Sequence, residues 1–459
     1  MQERLTKKVK SGLKYSILDG AAHSSMLGIG EHYLLAYAIF LSASDLQLAL
    51  VATFPIFLAA IAQLYSVKLM HKMRTRKHAT VAFSAIQGII WIPIILTYFL
   101  SSSSIPSLIF FVTLYWVFGL MINPIWTSWI GDLVPSNIRG RFFGKRSLAT
   151  SFALFASFVL GGLILTYAKG TLGNEFLGFA MIFGLALIAR FVSVLFLTKQ
   201  YEPPLRVNSE NEFRIRDFLF HFKKKFKKGH FNTLVLYLSF MSFALYLSAP
   251  YIVANLLKSL NFTYLQYTIS TAAFLIVQMG FFIVWGKLSD KYGSLSILKL
   301  TGIMMTLNPI LWMIPRDLMG AVIIQIYAGF TMSGFMLSSF NFMLEVTEPE
   351  KRVTSKSYFN LMVGTFTFLG SLAGAGLIKL FENVDFNSIP ILSEVFFSQY
   401  IPIFLIGGIL RLIISLSILP RLKEIEKHEK VSSEKLFVQA ISVLPGKGVN
   451  ITAHHMHKH

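Results

Sequence analysis

Apolar runs of about 20 residues, each bounded by charged or turn-forming positions, recur from one end of the chain to the other, the length needed to cross a bilayer as a helix. They predict twelve helices at about 15–41, 46–69, 79–100, 106–131, 143–168, 177–199, 232–257, 265–287, 295–315, 318–344, 356–380 and 398–420. The connections are mostly short, with residues 200–231 the exception, carrying Pro203-Pro204 and the basic run Lys223 to Lys228. The expected organisation is a helical unit at 1–199, a basic amphipathic linker at 200–231, a second helical unit at 232–420 and a polar tail at 421–459. The fold class is an all-α polytopic membrane protein.

Composition sharpens this reading. Of 459 residues, 54% are hydrophobic, 43 are Phe and only 14% are charged, where a soluble domain carries about 25% charged residues. An ordinary water-soluble enzyme is excluded. With no cysteine, disulfide scaffolds, thiolate metal sites and cysteine nucleophiles are excluded as well. The formal charge of +20 has a topological origin, because 36 of the 42 Lys and Arg fall at the termini, the linker and alternate loops. The other face holds only Lys169, Lys258, Arg316 and Lys379, and Arg190 and Arg411 lie inside spans. The positive-inside rule then puts both termini in the cytoplasm, as an even number of spans requires. A basic inner face attracted to anionic lipid accounts for the charge without nucleic acid. The first span is expected to be retained, in a bacterial inner membrane, and the protein to be a monomer. A short amphipathic stretch at Glu434 to Val443 interrupts the tail, which ends in His454, His455, His457 and His459. Those histidines read as a disordered tail rather than a metal site.

The two helical units look duplicated. Ile182-Phe183 followed by Arg190 recurs as Ile403-Phe404 followed by Arg411, an offset of 221 residues, while Lys68-Leu69 and Lys72 recur as Lys287-Leu288 and Lys291. Asp132, Pro135 and Arg139 are echoed loosely by Glu345, Pro349 and Arg352. Two such units normally enclose a site near the bilayer midplane. Together with the segment Gly286-Lys287-Leu288-Ser289-Asp290-Lys291-Tyr292-Gly293, this resembles the major facilitator superfamily, whose 2–3 loop and often 8–9 loop carry G-x-L-x-D-R-x-G. Asp132-Leu133-Val134-Pro135, continuing to Arg139-Gly140-Arg141 and Gly144, is similar to that family's 4–5 loop. The resemblance spans nearly the whole chain outside the tail and implies two pseudo-symmetric six-helix bundles. It also implies a cytoplasmic gate formed here by Gly286, Asp290, Lys291 and Gly293 with Asp132, Arg139 and Arg141, Asp290 reaching toward Arg139 or Arg141. The first copy departs from the pattern: Ser66-Val67-Lys68-Leu69-Met70-His71-Lys72 lacks the glycine and has His71 where the acid belongs.

Ionisable groups inside spans are the first functional suspects, because an acid at bilayer depth costs about 2.5–3.5 kcal/mol on insertion scales unless paired, protonated or wetted. Span one holds Asp19, His23, Glu31 and His32. At 100° per residue Asp19, His23, Met26 and Gly30 share a stripe, with Gly20, Ser24, Gly28 and Glu31 on the adjacent small-residue stripe. The resemblance implies that spans one, four, seven and ten line a central cavity. Glu31 is then placed to carry a proton between the two sides, or to meet a charged solute. Asp19 and His23, four residues apart, are placed to pair directly. Neutral cavity candidates are Asn123 and Trp126, flanking Pro124, with Tyr246, Asn255, Gln278, Ser338 and Asn341; interhelical hydrogen bonding is the competing role for each. The resemblance puts Arg190 and Arg411 on peripheral spans, where snorkelling or a pseudo-symmetric structural contact is expected. Most Phe and Tyr stripes are expected to face lipid.

The expected function is secondary active transport of a small solute by alternating access, driven by protons through the span-one acids. Efflux of a drug or metabolite by antiport is the alternative, although span five has only Gly161-Gly162 in place of a fuller G-P-x-x-G-G motif. A non-transporting membrane sensor or scaffold is the reading of another class. No G-x-x-x-x-G-K-[ST] loop is present for ATP, no nucleophile and base stand at usable spacing for an enzyme, and no cofactor or metal site is expected.

Overall fold

A computed structural model of the chain describes residues 2–66, 69–70, 73, 75–135, 138–204, 230–314, 316–347, 352–382, 397–424 and 432–442. Most of the basic linker, the His-rich end of the tail, and Lys68, His71 and Lys72 of the first-half motif lie outside the described residues. The first bundle comprises α1 (Gln2–Ile29), α2 (Leu34–Phe40), α3 (Asp45–Gln63), α4 (Arg76–Ile89), α5 (Trp91–Leu96), α6 (Ser104–Leu133), α7 (Arg139–Gly170) and α8 (Glu175–Lys199). The second comprises α9 (His230–Tyr246), α10 (Ala249–Ala254), α11 (Tyr264–Tyr292), α12 (Ser294–Met304), α13 (Leu307–Leu311), α14 (Leu318–Glu345), α15 (Arg352–Phe381) and α16 (Ile401–Ile418), and a short α17 (Ser433–Ser442) follows.

Among the described residues, ten stretches rather than twelve are long and apolar enough to cross a membrane. One of them, Arg76–Leu133, is 58 residues long and joins two expected spans. The helical path is broken within it at Ser101, whose φ of 49° and ψ of −117° lie outside the helical region, and α4 then packs on α6. The first helix is absent from the ten because it stops at Ile29, which leaves its apolar continuation in α2, while the part before the break carries Lys14, Asp19 and His23 among small residues.

Several spans are assembled from two pieces, and the interruptions come in pairs across the repeat. Span one breaks at Gly30, span seven at Leu247-Ser248, span three at Ile90 and span nine at Met305-Thr306. The break in span one has a packing cause. A Cβ on Gly30 would lie 2.7 Å from the Trp91 ring and 2.8 Å from Ala186. The chain tightens into a 3₁₀ turn over Glu31–Tyr33 before α2 begins. Helix starts repeat too. Ser44 and Gln47 form a capping box at α3, and Thr263 and Gln266 form one at α11, each satisfying two otherwise unpaired backbone donors. The offset of 219 residues from Ser44 to Thr263 is the one that separates Lys68 from Lys287.

The small-residue stripe of α1 faces α7, with Gly20 against Arg146 and Thr150 and Gly28 against Leu154 and Ser157. The lipid-facing surfaces are aliphatic more than aromatic: Leu148, Leu160 and Leu163 on α7, and Leu185, Ile188 and Leu195 on α8, are exposed. The expectation that aromatic side chains mostly face lipid is corrected here. Tyr33, Tyr37, Phe158, Phe179 and Phe183 are fully buried, and Tyr33 stacks on Phe158 with centroids 5.1 Å apart. Offset and edge-to-face ring pairs give this core a directional packing that aliphatic chains lack. Outside the bundles, α17 seats Leu436 and Ala440 against Trp285, Tyr292 and Ile297.

The polar contacts that join the bundles gather toward the face bearing the 1–2, 7–8 and 11–12 connections. Lys258 Nζ donates to Ala43 O at 2.9 Å, Tyr400 Oη donates to Asp45 Oδ1 at 2.9 Å, and Tyr264 donates to Glu175. Deeper in, Tyr33 Oη and Thr268 Oγ1 lie 3.1 Å apart and Tyr267 Oη donates to His32 O at 3.2 Å. The pair Gly161-Gly162 makes this closure possible, since a Cβ on Gly161 would meet the Tyr33 ring and one on Gly162 would occupy the space of the Thr268 side chain. Gly162→Val is therefore expected to open this face. Overpacking of about 1–3 kcal/mol shifts the balance of states roughly five-fold or more. Because the chain has no native cysteine, thiol labelling at Ala43→Cys, a buried position beside Lys258, reads the change. Labelling no faster than in the Gly162 parent would contradict the role given to this contact.

Candidate functional site

Both bundles contribute to a central cavity of about 500 Å³. The 3₁₀ turn places two consecutive residues, Glu31 and His32, on its wall. The first bundle adds Val51, Ile56 and Trp116; the second adds Tyr246, Tyr267, Asn308, Trp312, Gln325 and Arg411. Apolar and aromatic walls with a few convergent polar groups describe a small-molecule site.

Glu31 is half-buried, and its carboxylate accepts a hydrogen bond from Tyr115 Oη at 2.9 Å. Tyr115 is itself fully buried and held edge-on to Trp91, with centroids 5.1 Å apart. The carboxyl is thus fixed on one side by a rigid phenol and faces the cavity on the other. Among the described residues no basic side chain forms an ion pair with it.

Asp19 sits in a different setting. It is 4% exposed and accepts a bond from Ser193 Oγ at 2.6 Å; Ser193 Oγ in turn accepts from Arg190 Nη1 at 3.0 Å, while Arg190 Nη2 donates to Ser84 Oγ at 3.0 Å. A neutral hydroxyl thereby links a buried carboxylate to a buried guanidinium. The expected Asp19–His23 pair is not formed, because Ser193 occupies the carboxylate, and His23 Nδ1 is buried without a hydrogen-bond partner. Nor does Arg190 snorkel: it is 3% exposed and bound inside its bundle. Arg411, 4% exposed, is likewise interior, bonded to the carbonyls of Ala244, Leu245 and Met305 and to Ser248 Oγ.

Of the neutral candidates, Tyr246 lines the cavity; the others do not reach its wall. The Trp126 ring is covered by the Arg146 guanidinium at 4.3 Å, and Asn123 is exposed one turn away. Gln278 is half-buried and approaches Met336 Sδ at 3.8 Å. Ser338 donates to Gly334 O, Asn341 donates to Ser289 Oγ at 3.4 Å, and Asn255 is fully buried with both amide atoms lacking a protein partner. His32 reaches the cavity, as expected of the span-one ionisable groups, while Trp116, Tyr267, Asn308, Trp312, Gln325 and Arg411 are cavity residues that the sequence pattern does not single out as such. The Asn308-Pro309 pair inside an apolar run was the available signal for the break in span nine.

At the basic end the expected bridge between Asp290 and the 4–5 loop is not formed among the described residues. Asp290 is exposed, Gly293 takes φ 85° at the α11–α12 turn, and Gly286 lies open beside Leu337. Lys291 lies 5.0 Å from the centroid of the neighbouring Tyr292 ring. No bond runs from Asp290 to Arg139 or Arg141 among the described residues, and Arg139 instead approaches Gly131 O at 3.4 Å. Asp132 pairs within its own bundle: Arg76, fully buried, donates to it at 2.6 Å and also contacts Glu202, Ser128 and Pro203. In the second bundle the echo of Asp132, Glu345, has a serine in that place, accepting from Ser294 Oγ at 2.6 Å.

The family model described as Major Facilitator Superfamily matches residues 21–371 and 235–449. The chain belongs to that superfamily, and its fold is that of a multi-pass membrane transporter. No protein of curated function matches it in sequence. Among solved structures it is similar to a point mutant of the nucleoside transporter NupG, with TM-score 0.69 and 12% identity over 90% of this chain and 100% of that one. A bacterial homologue of the human lysosomal transporter Spinster, inward-facing and unoccupied, gives TM-score 0.62 and 14% identity over 92% and 99%. The partially occluded inward-open xylose transporter XylE from E. coli gives 0.61 and 11% over 92% and 100%. At these identities the likeness establishes the fold alone.

Proposed function

We propose that the protein is a proton-coupled secondary carrier in which Glu31 binds the coupling proton while a small solute occupies the adjoining cavity. The observation that carries this reading is the position of Glu31: a carboxyl at a helix break, fixed by Tyr115 and forming part of the cavity wall. Interrupted helices at mid-membrane sites are where secondary transporters bind substrates and coupling ions. A structural neighbour named as a D-xylose–proton symporter, with TM-score 0.61, is compatible with proton drive on this fold.

In this proposal the bundles are residues 1–199 and 232–420, joined by the linker at 200–231 and followed by the tail at 421–459. The basic face is cytoplasmic, resting on anionic lipid of a bacterial inner membrane, so the sealed face is external and the state described is inward-facing. Opening outward would bring Asp290, Lys291 and the 4–5 loop together as the gate. The test is solute flux in proteoliposomes holding a monomeric preparation, with and without an inward pH gradient. Accumulation above equilibrium that collapses with a protonophore is expected. Flux indifferent to the gradient would remove the coupling, and no flux for any solute that binds would favour a sensor.

A further inference from the structure

Arg190 and Arg411 occupy equivalent places in the repeat but have unlike surroundings. In the first bundle Ser193 relays Arg190 to the carboxylate of Asp19. At the same offset of 221 residues, Ser193 is replaced by Ile414. The helices around Arg411, α9, α10, α12, α13 and α16, contain no Asp or Glu at all. The guanidinium has five N–H donors. Nε donates to Ala244 O at 3.4 Å, Nη1 to Met305 O at 3.2 Å, and Nη2 to Leu245 O at 3.3 Å and Ser248 Oγ at 2.9 Å. All these acceptors are neutral, three of the four bonds are long, and one Nη1 hydrogen is unspent. The group is only 4% exposed, yet it forms part of the cavity wall. The breaks between α9 and α10 and between α12 and α13 lie beside the carbonyls that hold it, and Leu245 O also accepts from Ser248 N at 3.3 Å, so the same irregular backbone both anchors the cation and borders the cavity.

We infer that Arg411 makes the cavity selective for an organic carboxylate, the solute's anionic head completing the charge that Asp19 supplies in the other bundle. A carboxylate matches the planar fork of a guanidinium and bonds more strongly to it than a carbonyl does. The remaining wall fits an apolar body: Trp116, Tyr267 and Trp312 offer faces, while Asn308 and Gln325 supply neutral hydrogen bonds. Glu31 is the one carboxylate on that wall among the described residues, and a proton on it removes the like charge that would repel the solute. This inference rests on the carrier reading for the use of the cavity, but its test measures binding and not flux.

The experiment uses the full-length protein in detergent and matched carboxylate, amide and amine members of an aliphatic and a phenyl series, with tryptophan fluorescence reporting through Trp116 and Trp312. Carboxylates are expected to bind at least about ten-fold more tightly than the amides, the effect of one well-placed charged contact, and amines least. Arg411→Gln should erase the preference and Arg411→Lys should retain part of it, in preparations that still melt cooperatively. If amides or amines bind as well as carboxylates in the unaltered protein, or no carboxylate binds, the inference is overturned even if the variants fail to fold. A folded Arg411→Gln protein that keeps the preference overturns it too. Carboxylate binding without proton-driven flux would defeat the carrier reading alone, and coupled flux of a neutral solute would defeat this inference alone.

Discussion

Glu31→Gln is expected to abolish accumulation driven by the proton gradient while leaving exchange of solute across the membrane intact. The amide keeps an oxygen for the Tyr115 hydroxyl, which donates at 2.9 Å in the unaltered protein, and it keeps the volume of the side chain. It cannot bind and release a proton. One elementary charge moved across 100 mV is worth about 2.3 kcal/mol, which is roughly a fifty-fold concentration ratio. Proteoliposomes carrying the variant should therefore fall from that order of accumulation to simple equilibration, with counterflow retained. Accumulation at the level of the unaltered protein would remove Glu31 from the coupling step and direct attention to His32, its neighbour on the wall.

The second large effect concerns stability. Asp19 and Arg190 are joined through Ser193 rather than in direct contact, so Asp19→Ala leaves the Ser84 and Ser193 bonds to Arg190 in place. It removes the carboxylate that balances the buried charge of Arg190, at a cost toward the lower end of the roughly 3–5 kcal/mol of a broken buried pair. The thermal unfolding midpoint in detergent should drop sharply. Replacing both members, as Asp19→Leu with Arg190→Met, should recover much of the loss, because no charge is then stranded. A single Asp19→Ala protein as stable as its parent would show that the Asp19–Ser193–Arg190 chain is not holding α1 to α8, and would return Asp19 to the candidate transport groups.

The spans were legible because a lipid environment leaves long apolar runs with few alternatives. The breaks were less so. Nothing local distinguishes Gly30 from Gly28; the difference is that Trp91 and Ala186 approach Gly30 while α7 approaches Gly28. Rotation by 100° per residue puts Glu31 and His32 on different stripes, yet both reach one wall where the helix breaks after Gly30. The pairing of Asp19 with His23 followed from spacing along one helix, but Ser193, 174 positions away, supplied the partner. Helices as uniformly apolar as α16 carry little sign of which face turns inward, so Arg411 was legible as an unusual residue and illegible as a cavity residue.

The first span is held by its own bundle along its length and, above Gly30, by the other bundle as well. Below Gly30, α1 is tied to its own bundle through Asp19 and Ser193; above it, Tyr33 Oη donates to Phe158 O of the same bundle at 2.6 Å and also meets Thr268 of the other, whose Tyr267 donates to the carbonyl of His32. Parting the bundles at the sealed face must therefore break the Thr268 and Tyr267 contacts, which sit within three residues of the Gly30 break and directly beside Glu31. On the proposed coupling, a proton gained or lost at Glu31 changes charge next to the very bonds that have to part.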